Sequence, residues 1–320
     1  MAPRMPSAGR RPAAEPDAAP DPAALVLLAT IADAGSLTAA ARVLGSTQPA
    51  LSKQLKRLEQ AFGVPLFERG VRGVVPTEYG TALLPRARTI RAQARRAVED
   101  VAQLRGRREG SVSLALSHFA TIALLPRVIP AFRADWPGVS IRIAPPTFQL
   151  AGLREGEPDF AVMSQPSVRP GADYATRSVY ATTVVAVVRP GHPLARARTL
   201  AALADAEWVM PSVDSSIAHG LRRAFRLARL PAPACPVTCE TLTGLETLVA
   251  GTDLVGAMPL EVHQVRAAAS GLLRVPLEAA IEGPRVVILR WADAQRTPAA
   301  AALEEAFVVA AHVLARERRR

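Results

Sequence analysis

Two groups of residues in this chain have the types and spacing that recognition chemistry requires. The first is Thr47, Gln48, Pro49, Ser52, Lys53, Lys56 and Arg57. On a helix turning about 100° per residue, Leu51, Leu55, Leu58 and Phe62 form one narrow stripe. Pro49, Lys53, Lys56 and Gln60 lie roughly opposite, flanked by Ser52 and Arg57. A leucine stripe fixes such a helix to a scaffold, and short polar side chains near its N-terminus can approach base edges in a DNA major groove. An ordinary amphipathic surface helix has the same pattern, so the neighbouring elements must decide. Arg69 and Arg72 follow on either side of a Gly70-Val71 tip, where their guanidinium groups can reach phosphates.

The second group consists of hydroxyls at three strand-to-helix junctions: Ser117-His118-Phe119 with Thr121, Ser215-Ser216, and Thr241-Leu242-Thr243. Helix starts present N–H groups without intrahelical acceptors, so three of them facing one cleft suit an anion. The expected ligand is a small carboxylate, aromatic if Phe119 and Phe148 line the cleft, with His118 as a pocket-lining polar group. Ordinary helix N-caps explain the same hydroxyls equally well. Catalysis finds no constellation here. The five histidines are scattered without metal-ligand spacing, and Ser117 and His118 are neighbours on one turn, a poor geometry for a nucleophile and its base. No cofactor is expected. Cys235 and Cys239 are a candidate redox pair. A strand spacing of four puts them on one face about 13 Å apart, too far for a disulfide, and buried thiols are the expectation.

The elements that must position these residues can be read from the pattern. Residues 1–22, rich in Pro, Ala and Gly, read as a disordered extension. Helices follow at Ala23–Ala34, at Leu37–Leu44 after the cap Ser36, and at Thr47–Phe62, each ended by or next to a glycine. Val64–Glu68 and Val74–Pro76 read as a two-stranded wing around a Gly/Arg tip. Thr77 caps a helix reaching Leu104, with Leu83, Leu84, Ala87, Ile90, Ala94, Ala97, Val98, Val101 and Leu104 along one seam. Such a helix is about 40 Å long, and pairing with a second copy is the simplest way to cover its seam. From Ser111 onward strands alternate with helices. Strands are expected at Val112–Leu116, Val139–Ile143, Asp159–Met163, Thr183–Val188, Trp208–Met210, Val237–Glu240, Leu254–Met258 and Val286–Arg290. Helices are expected at Ala120–Ala134, Phe148–Arg154, Ile217–Leu227, Gly244–Ala250 and Ala299–Ala315. The pattern is that of a two-lobed α/β region. The domains are then 23–80, a linker helix 77–105, and 111–315.

Charge agrees with this division. Residues 21–110 carry 14 Arg and Lys against 8 Asp and Glu, whereas the C-terminal body is close to neutral apart from its Arg-rich tail. A basic N-terminal module on a neutral body points to nucleic acid. Both lysines of the chain, Lys53 and Lys56, fall on the third helix. The N-terminus lacks an apolar export segment, and no stretch reads as a membrane span, so a cytoplasmic protein is expected. A solute-binding protein for transport would share the C-terminal fold but not the helices in front of it. An enzyme on that fold would need a nucleophile, metal site or acid/base pair.

Ala39-Ala40-Ala41-Arg42-Val43-Leu44, Gln48-Pro49-Ala50-Leu51-Ser52, Leu58-Glu59, Gly63-Val64-Pro65-Leu66-Phe67-Glu68-Arg69 and Thr77-Glu78-Tyr79-Gly80 together resemble the LysR-type transcriptional regulators. The similarity continues through Leu124-Leu125-Pro126, Leu153-Arg154-Glu155-Gly156, Asp159-Phe160-Ala161-Val162, Arg189-Pro190-Gly191-His192-Pro193-Leu194 and Val249-Ala250-Gly251, and covers about residues 23–315. The resemblance implies a winged helix-turn-helix, a dimerising linker helix and a C-terminal effector domain folded like a periplasmic binding protein. It also implies a homotetramer bound to partly palindromic promoter DNA on the bacterial nucleoid. Gln48, Pro49, Ser52 and Lys53 fall on the family's base-contacting positions, and Thr47, Lys56, Arg57, Arg69 and Arg72 on backbone-contacting ones. Thr47 replaces the common Ser and keeps its hydroxyl, and Pro158 stands where the family usually has Leu. Whether such a regulator activates depends on contacts with RNA polymerase and on DNA bending, which the residue pattern does not encode.

Overall fold

The computed structural model describes residues 20–70, 73–144, 151–155, 158–166, 171–212 and 214–318, with Arg69, Ala151 and Glu155 described in their backbone alone. Arg72, Phe148 and residues 1–19 of the expected extension therefore lie outside the described residues, as does the Arg69 side chain. The chain divides into two compact units, Met1–Ala97 and Val98–Arg320.

In the first unit, α1 (Pro22–Ala34) begins one residue before the sequence pattern suggests. Asp21 caps it by accepting from the Ala23 N–H at 2.9 Å, and Pro22 takes the first helical position, where its missing N–H costs nothing. Gly35 ends the helix at φ 68°, and Ser36 caps α2 (Leu37–Val43). Thr47 caps α3 (Gln48–Phe62), which Gly63 ends at φ 68°. Leu25, Leu28, Ile31, Leu51, Leu55, Leu58 and Leu66 form the shared core. Burying each side chain contributes about 1.5–3 kcal/mol. β1 (Phe67–Gly70) and β2 (Gly73–Pro76) pair antiparallel as the wing. Hydrogen bonds from both sides hold it. Glu59 Oε1 accepts from the Leu66 and Phe67 N–H groups at 2.9 and 3.3 Å, and the Val74 N–H donates to the Gly35 carbonyl at 3.0 Å. A Cβ on Gly73 would lie 2.2 Å from that carbonyl, so the close approach requires glycine. α4 (Glu78–Leu104) then runs 27 residues. Asp33 of α1 is paired with Arg88 at 2.9 Å and Arg91 at 2.6 Å.

The second unit contains β3 (Glu109–Leu116), a π-helical turn over 120–124, α5 (Leu125–Asp135), β4 (Gly138–Ala144), α6 (Ala151–Glu155), β5 (Phe160–Ser164) and β6 (Tyr174–Val188). It continues with β7 (Glu207–Met210), α7 (Ser216–Leu227), β8 (Ala234–Thr238), α8 (Leu242–Gly251) and β9 (Val255–Pro259). α9 (Leu260–Ser270), β10 (Leu273–Arg274), β11 (Ile281–Trp291) and α10 (Pro298–Glu317) complete it. The sheet order is β4-β3-β5-β11-β6-β9-β7-β8, with β10 on β6. β6 and β11 pair with each other along most of their length. The Val286–Leu289 part of β11 also pairs with β5, and the Val184–Val187 part of β6 with β9. These two strands therefore pass from one lobe to the other, with register shifts in β11 on either side of Arg285. Phe160, Phe132, Leu303 and Phe307 belong to the first lobe's core, and Trp208, Leu221 and Phe225 to the second's. This is the expected two-lobed α/β arrangement.

Several expectations change: β8 begins three residues before the expected Val237, β11 five before Val286, and β10 has no counterpart among the expected strands. β6 starts nine residues before the expected Thr183, because its polar first half is held by pairing with β11. α9 has no counterpart among the expected helices: it follows Pro259 without a side-chain cap, and its buried positions are Glu261 and Val262, which do not form an apolar stripe. α10 is long and apolar enough to cross a membrane, contrary to the expectation that no stretch is; half of that apolar window is buried, and Leu303, Phe307, Ala311 and Leu314 belong to the first lobe's core. Cys235 and Cys239 do not share a face. A register shift between Glu207 and Val209, against Ala234 and Val237, rotates the later residues of β8. Cys235 packs with the Trp208 cluster and Cys239 with the cluster containing Leu245. Burial pushes the Cys235 thiol up, against a backbone hydrogen bond from Met210 and the charge of Arg222.

Candidate DNA-reading face and ligand cavity

The two faces of α3 are separated cleanly. Leu51, Leu55 and Leu58 are 1%, 7% and 3% exposed. Thr47, Gln48, Pro49, Ser52, Lys53, Lys56 and Arg57 are all exposed. Thr47 Oγ1 accepts from the Ala50 N–H at 3.4 Å, which orients the first turn of the helix. With the leucines anchored, the exposed first turns carry hydroxyl, amide and ammonium groups on one rigid element, the requirement for a groove reader. On α4, Leu84 and Ala87 are buried in the core of the helical unit. Further along, Val98, Val101 and Leu104 are 72%, 58% and 79% exposed. Burial raises the Asp33 carboxyl, but the hydrogen bonds and charges of Arg91 and Arg88 outweigh it and leave the group below its ordinary value.

In the second unit a cavity of about 270 Å³ lies where the three hydroxyl-bearing junctions meet. It is lined by Ser117, His118, Phe119, Ser215, Ser216 and Thr241, so the structure brings together six of the eight residues singled out by sequence. Thr121 and Thr243 are not among its lining residues. Thr121 Oγ1 turns back to donate to the Ser117 carbonyl at 3.0 Å. Thr243 lies two residues beyond Thr241, on the opposite side of α8, and is exposed. Ser164, Cys239, Glu240, Met258, Val262 and Pro284 also line the cavity, although the residue pattern does not single them out. The position of Ser164, Cys239, Glu240 and Met258 at or near strand ends is the one signal that could have marked them.

One hydroxyl at each junction caps its helix, as the N-cap reading expects. Ser117 Oγ accepts from the Ala120 N–H at 3.3 Å, Ser215 Oγ from Ala218 at 3.2 Å, and Thr241 Oγ1 from Gly244 at 3.2 Å. The Ser215 proton is already donated to the Ser212 carbonyl at 2.7 Å. A Cβ on Gly244 would lie 2.5 Å from Cys239 Sγ, so glycine lets the end of β8 close on α8. The rest of the lining is largely apolar. Phe119, itself 4% exposed, stacks on Tyr180 with ring centroids 5.4 Å apart.

Among the described residues no group of three His, Cys, Asp or Glu could hold a metal ion. His192 and His263 are engaged with backbone instead. His192 Nδ1 accepts from the Leu194 N–H at 3.0 Å and its Nε2 lies 3.0 Å from the Asp253 carbonyl, while His263 Nε2 lies 3.1 Å from that of Leu272. The turn at Pro158 leaves Asp159 Oδ2 accepting from the Ser113 N–H and Oγ at 2.7 and 2.9 Å.

Fold and faces define a winged-helix DNA-binding protein joined to a two-lobed domain of the substrate-binding type. Residues 22–81 match the family model for the bacterial regulatory helix-turn-helix protein, lysR family, and residues 105–310 that for the LysR substrate binding domain. The chain belongs to the LysR family and is a DNA-binding transcriptional regulator with an effector-binding domain. It is 30% identical to the HTH-type transcriptional regulator GbpR of Azospirillum brasilense, over 75% of this chain and 72% of that one. It is 29% identical to the HTH-type transcriptional regulator GalR of Pseudomonas putida, over 82% and 67%. Among solved structures it shares its fold with full-length CbnR, a LysR family regulator, in complex with its target DNA (TM-score 0.67, 21% identity, 91% of this chain and 99% of that one). It also shares it with a full-length OxyR variant from Pseudomonas aeruginosa (TM-score 0.68, 20% identity, 92% and 96%).

Proposed function

We propose that this regulator reads promoter DNA with Gln48, Pro49, Ser52 and Lys53, braced on phosphates by Thr47, Lys56, Arg57, Arg69 and Arg72. Its working parts are the winged helix over 23–80, the linker helix over 77–105 and the effector domain over 111–315. Two copies pair along α4, whose Val98, Val101 and Leu104 stand exposed in one chain, and dimers assemble into a homotetramer. The protein acts in the cytoplasm, on the nucleoid, and where it activates, RNA polymerase is its further partner.

The effector is a small carboxylate with an apolar, aromatic body. The observation that carries this is the meeting of three hydroxyl-capped helix starts on one largely apolar cavity. Helix N-termini carry partial positive charge, and the Ser117 and Thr241 hydroxyls sit beside it as donors to a carboxylate. Phe119, Leu245, Met258 and Val262 would hold the body. The volume is slightly below the usual range of about 300–1,000 Å³ for ligand sites, which limits the effector to a small molecule. Glu240 also lines the cavity and opposes a second negative charge, which favours a monocarboxylate. Calorimetric titration of the full-length protein with benzoate, short aliphatic acids and the matching alcohols tests this. Saturable heat from a monocarboxylate, lost on Ser117→Ala with Thr241→Ala, is expected; equal binding of an acid and its alcohol would refute the anion site.

A further inference from the structure

A second cavity of about 370 Å³ lies beside α9 and the end of α10, and the effector reading makes no use of it. Arg127, Glu261, Gln264, Val265, Glu317 and Arg318 line it. Arg127 and Glu317 satisfy each other through two contacts of 2.9 Å. The other pair is incomplete. Arg318 comes no nearer than 3.7 Å to Glu261 Oε1, and donates instead to the Ala181 carbonyl at 2.9 Å and to Thr183 Oγ1.

Glu261 is only 3% exposed. Its Oε1 accepts from the Tyr180 hydroxyl at 2.6 Å, while its Oε2 is buried without a hydrogen-bond partner. Burial, then the Glu261 carboxylate, pushes the Tyr180 phenol up, so it remains a donor to Oε1 and leaves Oε2 as the unanswered acceptor. A buried carboxylate oxygen without a donor is costly, and such an orphan in a folded protein calls for a specific partner. The missing partner must bring N–H or O–H groups, and a cation would answer the charge as well as the lone pair. We propose that this cavity binds the ammonium group of a small amine, with Glu261 as its acceptor and the Val265 side packing on its carbon body. Arg318 also lines the cavity, 3.7 Å from Glu261 Oε1, so on this proposal the ammonium displaces it as the carboxylate's cationic neighbour. That side chain is 38% exposed at the end of α10, so it can return to water.

The test uses the full-length protein with n-butylammonium chloride as probe, and n-butanol and sodium butyrate at equal ionic strength as controls. Ultraviolet absorbance of Tyr180, assigned with Tyr180→Phe, reports occupancy where the ammonium meets Glu261. A saturable change with butylammonium alone is expected. Glu261→Gln should weaken it about tenfold or more through loss of a charge-assisted hydrogen bond, and Arg318→Ala should bind at least as tightly as wild type. If Glu261→Gln does not fold, Val265→Trp, at a position 59% exposed, should abolish the response by filling the cavity. Three results would overturn the assignment: no saturable change, an equal response to butyrate, or binding lost in Arg318→Ala.

Discussion

Leu51 and Ser52 are chain neighbours on α3, one buried and the other exposed, and replacing each with alanine should separate scaffold from reading surface. Leu51 is 1% exposed within the core shared by α1, α2 and α3. Truncating a buried leucine costs about 2–5 kcal/mol, a large fraction of the roughly 5–15 kcal/mol that holds a whole domain. Ser52 is exposed, and its truncation should stay within about 0.5 kcal/mol. The tryptophans help the measurement, since Trp136, Trp208 and Trp291 all lie in the second unit. Tryptophan emission therefore follows the effector-binding unit, and far-ultraviolet circular dichroism adds the helices of the first. Leu51→Ala should lower an early dichroism transition, leave the emission transition in place and lose binding to every DNA sequence. Ser52→Ala should melt like wild type yet discriminate less between its site and a scrambled one. Equal destabilisation by both substitutions, or a Leu51→Ala protein that melts and binds like wild type, would refute the division of α3 into two faces.

Three further outcomes are expected. Arg266→Ala should destabilise the second unit by about 3 kcal/mol, because it leaves the buried Glu246 carboxylate unpaired after two hydrogen bonds of 3.0 and 2.7 Å are removed; adding Glu246→Leu should recover part of that loss in urea unfolding followed by tryptophan emission. Asp33 titrates below its ordinary range in the folded state, so its contribution is present above the unfolded value of about 4 and is lost as pH falls through the folded one. The pair is partly exposed, so Asp33→Asn should cost less than about 1 kcal/mol at neutral pH, and thermal melts of variant and wild type should converge in acid. Gly80→Ala would place a Cβ 2.1 Å from the Leu66 carbonyl, forcing α4 and the wing apart, and gel shifts should show weaker binding to all DNA alike.

The N-terminal unit was legible because its signals are local. The stripe Leu51, Leu55 and Leu58 needs only helical periodicity, and Ser36, Thr47, Gly35 and Gly63 mark helix ends with their own hydrogen bonds or positive φ. The strand-to-helix hydroxyls were legible for the same reason, as caps. What escaped depends on distant pairing. The first half of β6 alternates poorly and exists because β11 lies beside it. α9 turns a glutamate inward because Tyr180, 81 residues away, supplies a hydrogen bond. Cys235 and Cys239 obey strict alternation in sequence, but a register shift against β7 sends them to different cores. The same limit applies to the cavity: Ser117, Ser215 and Thr241 announce themselves as helix starts, whereas Met258, Val262 and Pro284 reach it only through the sheet order.

The most direct test of DNA reading by the exposed face of α3 is equilibrium binding of the full-length protein to its promoter site and to a scrambled duplex across a range of salt, for wild type, Gln48→Ala and Lys56→Ala. Lys56→Ala should weaken both duplexes alike and reduce the slope of log K against log salt by about 0.9 for each phosphate that the protein no longer neutralises. Gln48→Ala should leave that slope unchanged and narrow the gap between the two duplexes. A sequence-specific loss in Lys56→Ala, or a gap untouched in Gln48→Ala, would contradict the assignment of bases and phosphates to these side chains.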